Sequence, residues 1–206
     1  PTCSTTFARK FGDVVTNSGD INGDGYSDAA VSGGVFQTSC EISNGRVVIY
    51  LGTPNGYDTV PNRVLIGNNN DGTFGRKIRE AGDINRDGID DFLIGCSNAR
   101  NLQGNTTNVG RVYVYYGSNT GVNIGATQLL LAPVNVGSAI TSRFGSSVSG
   151  AGDMNGDGFA DIIIGAITYV QPGTPSNAVG AAFIYLGSNI GIANAPSATL
   201  LGNNLN

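Results

Sequence analysis

The 206 residues contain no histidine and no tryptophan, one methionine and only three cysteines. Without histidine the chain cannot build a Ser-His-Asp or Cys-His nucleophile, and it has neither a G-x-S-x-G turn nor a phosphate-cradling glycine loop. The one acidic pair is Asp90 beside Asp91, and Asp90 reads most simply as a solvent-facing strand residue. An enzyme is therefore not expected. Cys3, Cys40 and Cys96 have no C-x-x-C spacing, so a zinc site has little to build on; one disulfide with a spare thiol, or three reduced thiols, both satisfy the odd count. Charged residues make up only 13% of the chain, and Arg76, Lys77 and Arg79 form its densest basic group. That group is too small for a nucleic-acid groove and fits a solvated strand edge. No apolar run reaches membrane-spanning length, and Pro1 opens the chain without a charged-then-apolar leader, which reads as a processed or trimmed soluble segment.

What is abundant is glycine, with 32 residues, set among many Val, Ile, Tyr and Thr and with no helical period in any window. This is the composition of short strands joined by tight turns, and it predicts an all-β protein. Acidity is local. Nine of the fifteen acidic residues occupy positions 1, 5 and 9 of three related loops: Asp20 to Asp28 (DINGDGYSD), Asp83 to Asp91 (DINRDGIDD) and Asp153 to Asp161 (DMNGDGFAD).

The loops belong to a repeat of about 65 residues. Phe11-Gly12, Phe74-Gly75 and Phe144-Gly145 each precede a loop by nine residues, and the copies are offset by 63 and 70 residues. Each unit divides into four strands. The first runs from the Phe-Gly pair to the loop, and the second leaves the loop, as in Asp91-Phe-Leu-Ile-Gly. The third lies between glycines, as in Gly45 to Gly52, Gly110 to Gly117 and Gly180 to Gly187, and a shorter fourth follows at Arg63 to Gly67, Gln128 to Leu131 and Ala198 to Gly202. Second and third strands are nearly continuous in apolar residues, as in sheets covered on both faces. Three four-stranded antiparallel propeller blades are expected, at 11–67, 68–131 and 132–206, after an N-terminal segment 1–10. The links 34–44, 97–109 and 166–179 differ in length and composition and should emerge opposite the acidic loops, where partner binding is usual.

Asp20, Asn22, Asp24 and Asp28 offer only oxygen, and the Tyr26 carbonyl stands where a backbone ligand at position 7 is expected. With a water this makes a six- or seven-oxygen shell, which suits calcium better than magnesium and excludes soft metals. Glycine at position 6 (Gly25, Gly88, Gly158) permits the positive φ of a metal-wrapping turn. An EF-hand would require a bidentate Glu at position 12, where this chain has Val31, Ile94 and Ile164. The alternative without metal is a set of Asx-rich turns, but three carboxylates in each nine-residue loop repel unless a cation is present. Arg86 replaces glycine at position 4 of the second loop, where only a small local effect and weaker affinity are expected.

The Phe11-Gly12 pair, the loop Gly19 to Asp28 and the strand Gly45-Arg-Val-Val-Ile-Tyr-Leu-Gly52, repeated twice in the same order, resemble the FG-GAP repeat of integrin α-subunit propellers. The resemblance covers nearly the whole chain. It implies four-stranded blades, Ca2+ at three sites in the first-to-second hairpins, and extracellular adhesive or structural work. The family's ligand positions fall on Asp20, Asn22, Asp24, Tyr26 and Asp28, on Asp83, Asn85, Asp87, Ile89 and Asp91, and on Asp153, Asn155, Asp157, Phe159 and Asp161, with Tyr26, Ile89 and Phe159 acting through their carbonyls. Three repeats are too few to close a propeller. The expected partners are accordingly further propeller repeats or other copies of the same chain, as a ring or filament, with Cys3 placed to link subunits.

Two functions are expected from these residues: a calcium-stabilised extracellular structural or adhesion module, or a lectin-like segment that binds carbohydrate or a protein ligand. Tyr115 and Tyr185 recur at one position, as a sugar platform would, but they fall within the strand pattern of core residues. Asn105-Thr106-Thr107 is the single N-glycosylation sequon and lies in a variable link, as exposure would require.

Overall fold

Strand propensity and turn chemistry agree along the chain, and the computed structural model is built from strands throughout. It describes residues 11–36, 44–68, 70, 71, 73–101, 106, 108–133, 141–171 and 179–202. The segment 1–10 with Cys3, together with Cys40, Asn105 and parts of the three variable links, lies outside the described residues.

Three four-stranded sheets follow one another along the chain, each antiparallel and up-and-down. The first contains β1 (Val15–Gly19), β2 (Asp28–Phe36), β3 (Asn44–Tyr50) and β6 (Arg63–Ile66); a small hairpin, β4 (Gly52–Thr53) and β5 (Gly56–Tyr57), stands between the last two. The second contains β7 (Lys77–Gly82), β8 (Asp91–Cys96), β9 (Arg111–Tyr116) and β10 (Asn123–Leu131). The third contains β11 (Phe144–Gly152), β12 (Asp161–Ala166), β13 (Ala181–Tyr185) and β14 (Ala198–Leu201). These are propeller blades. In the first two, the opening strand starts at Val15 and Lys77, a few residues after the Phe-Gly pair that was expected to begin it. Lys77 and Arg79 sit exposed on β7, an edge strand of its sheet, as their scarcity suggested.

The core lies between blades. Ala30, Val47, Ile49 and Leu65 of the first blade meet Ile78, Phe92, Ile94 and Tyr115 of the second. The opposite face of the second blade, with Leu93, Val112 and Val114, meets Ile162, Ile164, Phe183 and Tyr185 of the third. The middle blade is thus covered on both sides, and every residue of β8 and β9 is buried. In β12 and β13 burial alternates, with Ile163 and Ile184 only half-buried, so the continuous apolar runs are enclosed on both faces in the central blade alone. Tyr115 and Tyr185 are 7% and 0% exposed, which makes them core and leaves the lectin reading without its aromatic platform.

The Phe-Gly pair joins one blade to the blade before it. Phe74 and Phe144 are buried, each contributing about 1.5–3 kcal/mol of apolar burial. They fit because the preceding blade supplies glycines: a Cβ at Gly45 would overlap the Phe74 carbonyl, and one at Gly110 would overlap that of Phe144. Phe11, the first of the series, is 53% exposed and lies against Tyr50 with ring centroids 6.5 Å apart.

A buried polar cluster fastens the link between β6 and β7 to β9. Arg111 pairs with Asp71 at 3.2 Å, the Tyr113 hydroxyl donates to Asp71 Oδ1 at 3.0 Å, and Asn68 Nδ2 donates to that hydroxyl at 3.0 Å. Burial pushes the Asp71 carboxyl up, against the lowering effect of the Asn68 amide, Tyr113 and Arg111. Cys96 is a buried free thiol, and the same desolvation raises it well above its ordinary range.

Candidate metal centre

Each acidic loop is the hairpin between the first two strands of a blade. The chain leaves the first strand through a glycine with positive φ (Gly19 +82°, Gly82 +76°, Gly152 +66°) and turns left-handed again at positions 4 and 6. Position 6 is glycine in every copy; position 4 is Gly23, Arg86 or Gly156, with φ of 70°, 60° and 77°. Arginine therefore adopts a conformation that is cheap only for glycine.

The same hydrogen bonds recur in all three loops. The position-1 carboxylate accepts from the position-5 amide through Oδ1 (Asp20, Asp83 and Asp153, each at 3.0 Å) and from the position-6 glycine amide through Oδ2 (2.7, 2.8 and 2.8 Å). Asn22, Asn85 and Asn155 at position 3 donate through Nδ2 to the carboxylates of Asp24, Asp87 and Asp157 at 2.9, 3.0 and 2.7 Å. Those position-5 carboxylates also accept from the amides of Tyr26, Ile89 and Phe159. As they stand, no three acidic side chains among the described residues are gathered closely enough to hold a metal ion. Each carboxylate oxygen has two lone pairs, so an amide hydrogen bond leaves room for a second partner.

Position 9 is different in kind. Asp28, Asp91 and Asp161 are fully buried. Their Oδ2 atoms accept from the position-2 amides of Ile21, Ile84 and Met154 at 2.9, 2.9 and 2.8 Å. Their Oδ1 atoms accept from Gly52, Gly117 and Gly187 at the end of the third strand, at 2.7, 2.9 and 2.9 Å. The carboxylate thereby staples the hairpin to a strand about 25 residues away. The sequence reading missed this role, although its signal was present as a glycine recurring at the end of every third strand. Glycine is needed there because a Cβ would strike the position-8 carbonyl of the loop (Ser27, Asp90 or Ala160).

Burial pushes Asp28 up to about 6 and Asp91 up to about 7; the two amides act against this, and the carboxylates at positions 1 and 5 add to it. Among the described residues the one ion pair is Arg111 with Asp71, so all three position-9 carboxylates are buried without a cationic partner. A buried charge normally has one. An all-oxygen donor set around an uncompensated buried carboxylate fits a hard divalent cation. Asp153 is held below the usual carboxylate range, first by the Gly158 amide and to a lesser extent by Arg86.

Neighbouring loops touch. Asp90 is half-buried and is not the free solvent-facing residue that the sequence suggested. Its amide donates to the Asp20 carbonyl at 3.1 Å, and its Oδ2 accepts from the Asp20 amide at 2.9 Å. The effect of Arg86 likewise falls on the next loop, where its guanidinium lies 5.9 Å from the centroid of the Phe159 ring.

The comparisons agree with this geometry. Residues 144–183 match the FG-GAP repeat family model. The chain is 33% identical over 155 residues to human integrin alpha-IIb, a match covering 71% of this chain and 14% of that protein. It is 32% identical over 163 residues to human integrin alpha-8 (77% and 15%), and 39% identical over 131 residues to Xenopus laevis integrin alpha-5 (63% and 11%). The chain thus spans about a seventh of the length of these curated relatives or less. No helix among the described residues is long and apolar enough to cross a membrane. With its blades, its buried Phe74 and Phe144 and its acidic hairpins, the chain carries the FG-GAP repeat and is similar to integrin α-subunits over most of its length.

Proposed function

We propose that the chain is a non-catalytic, calcium-binding repeat module with an extracellular structural or adhesive role. One observation carries the reading: the same oxygen-rich hairpin occurs three times, each with a buried position-9 carboxylate that has no cationic partner among the described residues. Asp20, Asn22, Asp24, the Tyr26 carbonyl and Asp28 would hold the first ion, and the corresponding residues of the other loops the second and third. Calcium would supply the missing counter-charge, and because it binds the folded hairpin it would add its binding free energy to stability.

The adhesive role and the extracellular location follow from the likeness to integrin α-subunits. A further repeat, from a longer chain or from a second copy, is the partner that best suits the outer faces. On the first blade Val15, Val31, Val48 and Val64 form one cross-strand row, with Val15 67% and Val64 46% exposed. On the third, Leu200 is 53% exposed. Extracellular protein ligands would meet the variable links, on the face opposite the acidic loops.

The test is thermal unfolding in calcium and in chelator, with bound ions counted by native mass spectrometry. Three ions and a large drop in melting temperature on chelation are expected, and Asp24→Ala, Asp87→Ala and Asp157→Ala should each remove about one ion. A melting temperature indifferent to chelator, or a stoichiometry unchanged in all three variants, would sink the reading.

A further inference from the structure

We propose that the three loops take up calcium as a coupled set, with Asp90 as the positioning residue that carries the state of the second loop to the first. The proposal rests on the calcium reading above and concerns what joins the sites.

Asp90 precedes Asp91, position 9 of the second loop, and it grips both main-chain groups of Asp20, position 1 of the first. The Asp20 amide donates to Asp90 Oδ2 at 2.9 Å, and the Asp20 carbonyl accepts from the Asp90 amide at 3.1 Å. The residues are 70 apart in sequence. The grip is close because residue 19 is glycine: a Cβ there would lie 2.5 Å from Asp90 Cβ. Side chains add a second contact, since a Cβ on Gly23, position 4 of the first loop, would lie 3.2 Å from Ile89, position 7 of the second.

The boundary between the second and third loops has the same plan in different chemistry. The Ala160 amide donates to the Asp83 carbonyl at 3.0 Å, but position 8 there is alanine and offers no carboxylate. Position 7 again meets position 4 of the preceding loop, now as Phe159 under Arg86. Arg86 keeps a φ of 60° where its counterparts are glycine, and a strained residue persists where its surroundings hold it in place.

An ion that orders the second loop would fix the backbone around Asp90 and Asp91, and with it the peptide groups from which Asp20 projects. The first loop would then have less conformational freedom left to lose when it binds. Such coupling is reciprocal, so filling the first loop must favour the second by the same factor.

The glycine at position 6 of each loop donates its amide to its own position-1 carboxylate. A Cβ at Gly25 or Gly88 would meet nothing within 4 Å, whereas one at Gly158 would lie 3.0 Å from the Arg86 guanidinium of the second loop. In calcium titrations followed by these amide resonances, Gly25 and Gly88 therefore read the first and second sites separately, and Gly158 reads the third together with Arg86. Emptying the second loop with Asp87→Ala should move the Gly25 midpoint to at least about fivefold higher calcium. Asp90→Ala should produce the same move, and the double variant should go no further, whereas Asp90→Asn, which keeps the acceptor oxygen, should stay within about twofold of the parent. If Asp87→Ala does not fold, Asn85→Ala serves as the second way to empty that loop. A Gly25 midpoint indifferent to the second loop, or additive shifts in the double variant, overturns the coupling while leaving calcium binding intact. If none of the three amides responds to calcium, the calcium reading falls and the coupling with it.

Discussion

Replacing Asp91 with alanine and, separately, Asp87 with alanine separates what the loop does as protein from what it does as a metal site. Asp91 is fully buried, and its two oxygens are the acceptors for the amides of Ile84 and Gly117. Losing a charge-assisted acceptor costs about 1.5–3 kcal/mol for each amide, and relief from burying the carboxylate offsets part of that. The net loss without calcium should be about 2–4 kcal/mol. Asp87 is exposed, and its bonds to Asn85 and Ile89 face solvent, so in chelator its removal should cost less than about 1 kcal/mol. Calcium changes the comparison. At a hundredfold excess over its dissociation constant, each site adds about 2.7 kcal/mol, and both variants should forfeit that for the second loop. Urea unfolding of the parent and both variants, in calcium and in chelator, gives the four differences. If Asp91→Ala in chelator is no worse than Asp87→Ala, the position-9 carboxylate is not a staple and the reasoning from its two buried amides is wrong.

Other outcomes follow from the same geometry. In the folded chain Asp28 and Asp91 titrate near 6 and 7 instead of at 3.8, so between about pH 4 and pH 7 the folded state binds more protons than the unfolded one. In chelator, stability present below about pH 4 should be lost as pH rises through 7, whereas in calcium, which favours the ionised form, stability should rise over that window; melting temperatures across the range check the opposite signs. Gly45→Ala should cost about 3 kcal/mol in urea unfolding, because its Cβ would meet the backbone carbonyl of Phe74. Gly125→Ala, where the nearest neighbour is 3.4 Å away, should change stability by less than about 0.5 kcal/mol. Arg86→Gly should leave stability nearly unchanged, since it relieves about 1 kcal/mol of left-handed strain and gives up a cation–π contact of similar size. The same variant should let the Asp153 carboxyl titrate at slightly higher pH in an NMR titration; a fixed Asp153 would show that the guanidinium does not act across the blade boundary.

The parts legible in advance are those with a short range along the chain. Positions 1 to 9 of each hairpin interact through bonds spanning two to seven residues, so the spacing of Asp, Asn and Gly is enough to specify the turn. The apolar runs and glycine boundaries that marked the strands are local in the same way, and the four-strand order of each blade followed from the repeat. Tyr115 and Tyr185 were readable as core because they sit in step with the inward residues of their strands.

By itself, then, the sequence determined the repeat, the hairpins, the all-β character and the oxygen-only donor set, because each depends on neighbours within one turn or one strand. The tertiary structure decided what those pieces meet. Stacking placed Asp90 against Asp20 and fed Phe74 and Phe144 into glycine-lined seats on the preceding blade, and within each blade the position-9 carboxylate was tied to the end of the third strand. It also buried Asp71, Arg111 and Tyr113 together. None of these follows from local pattern, because a sheet face offers many apolar partners of similar worth. Which one it takes is fixed by where backbone can approach backbone, and here that is where glycine leaves room.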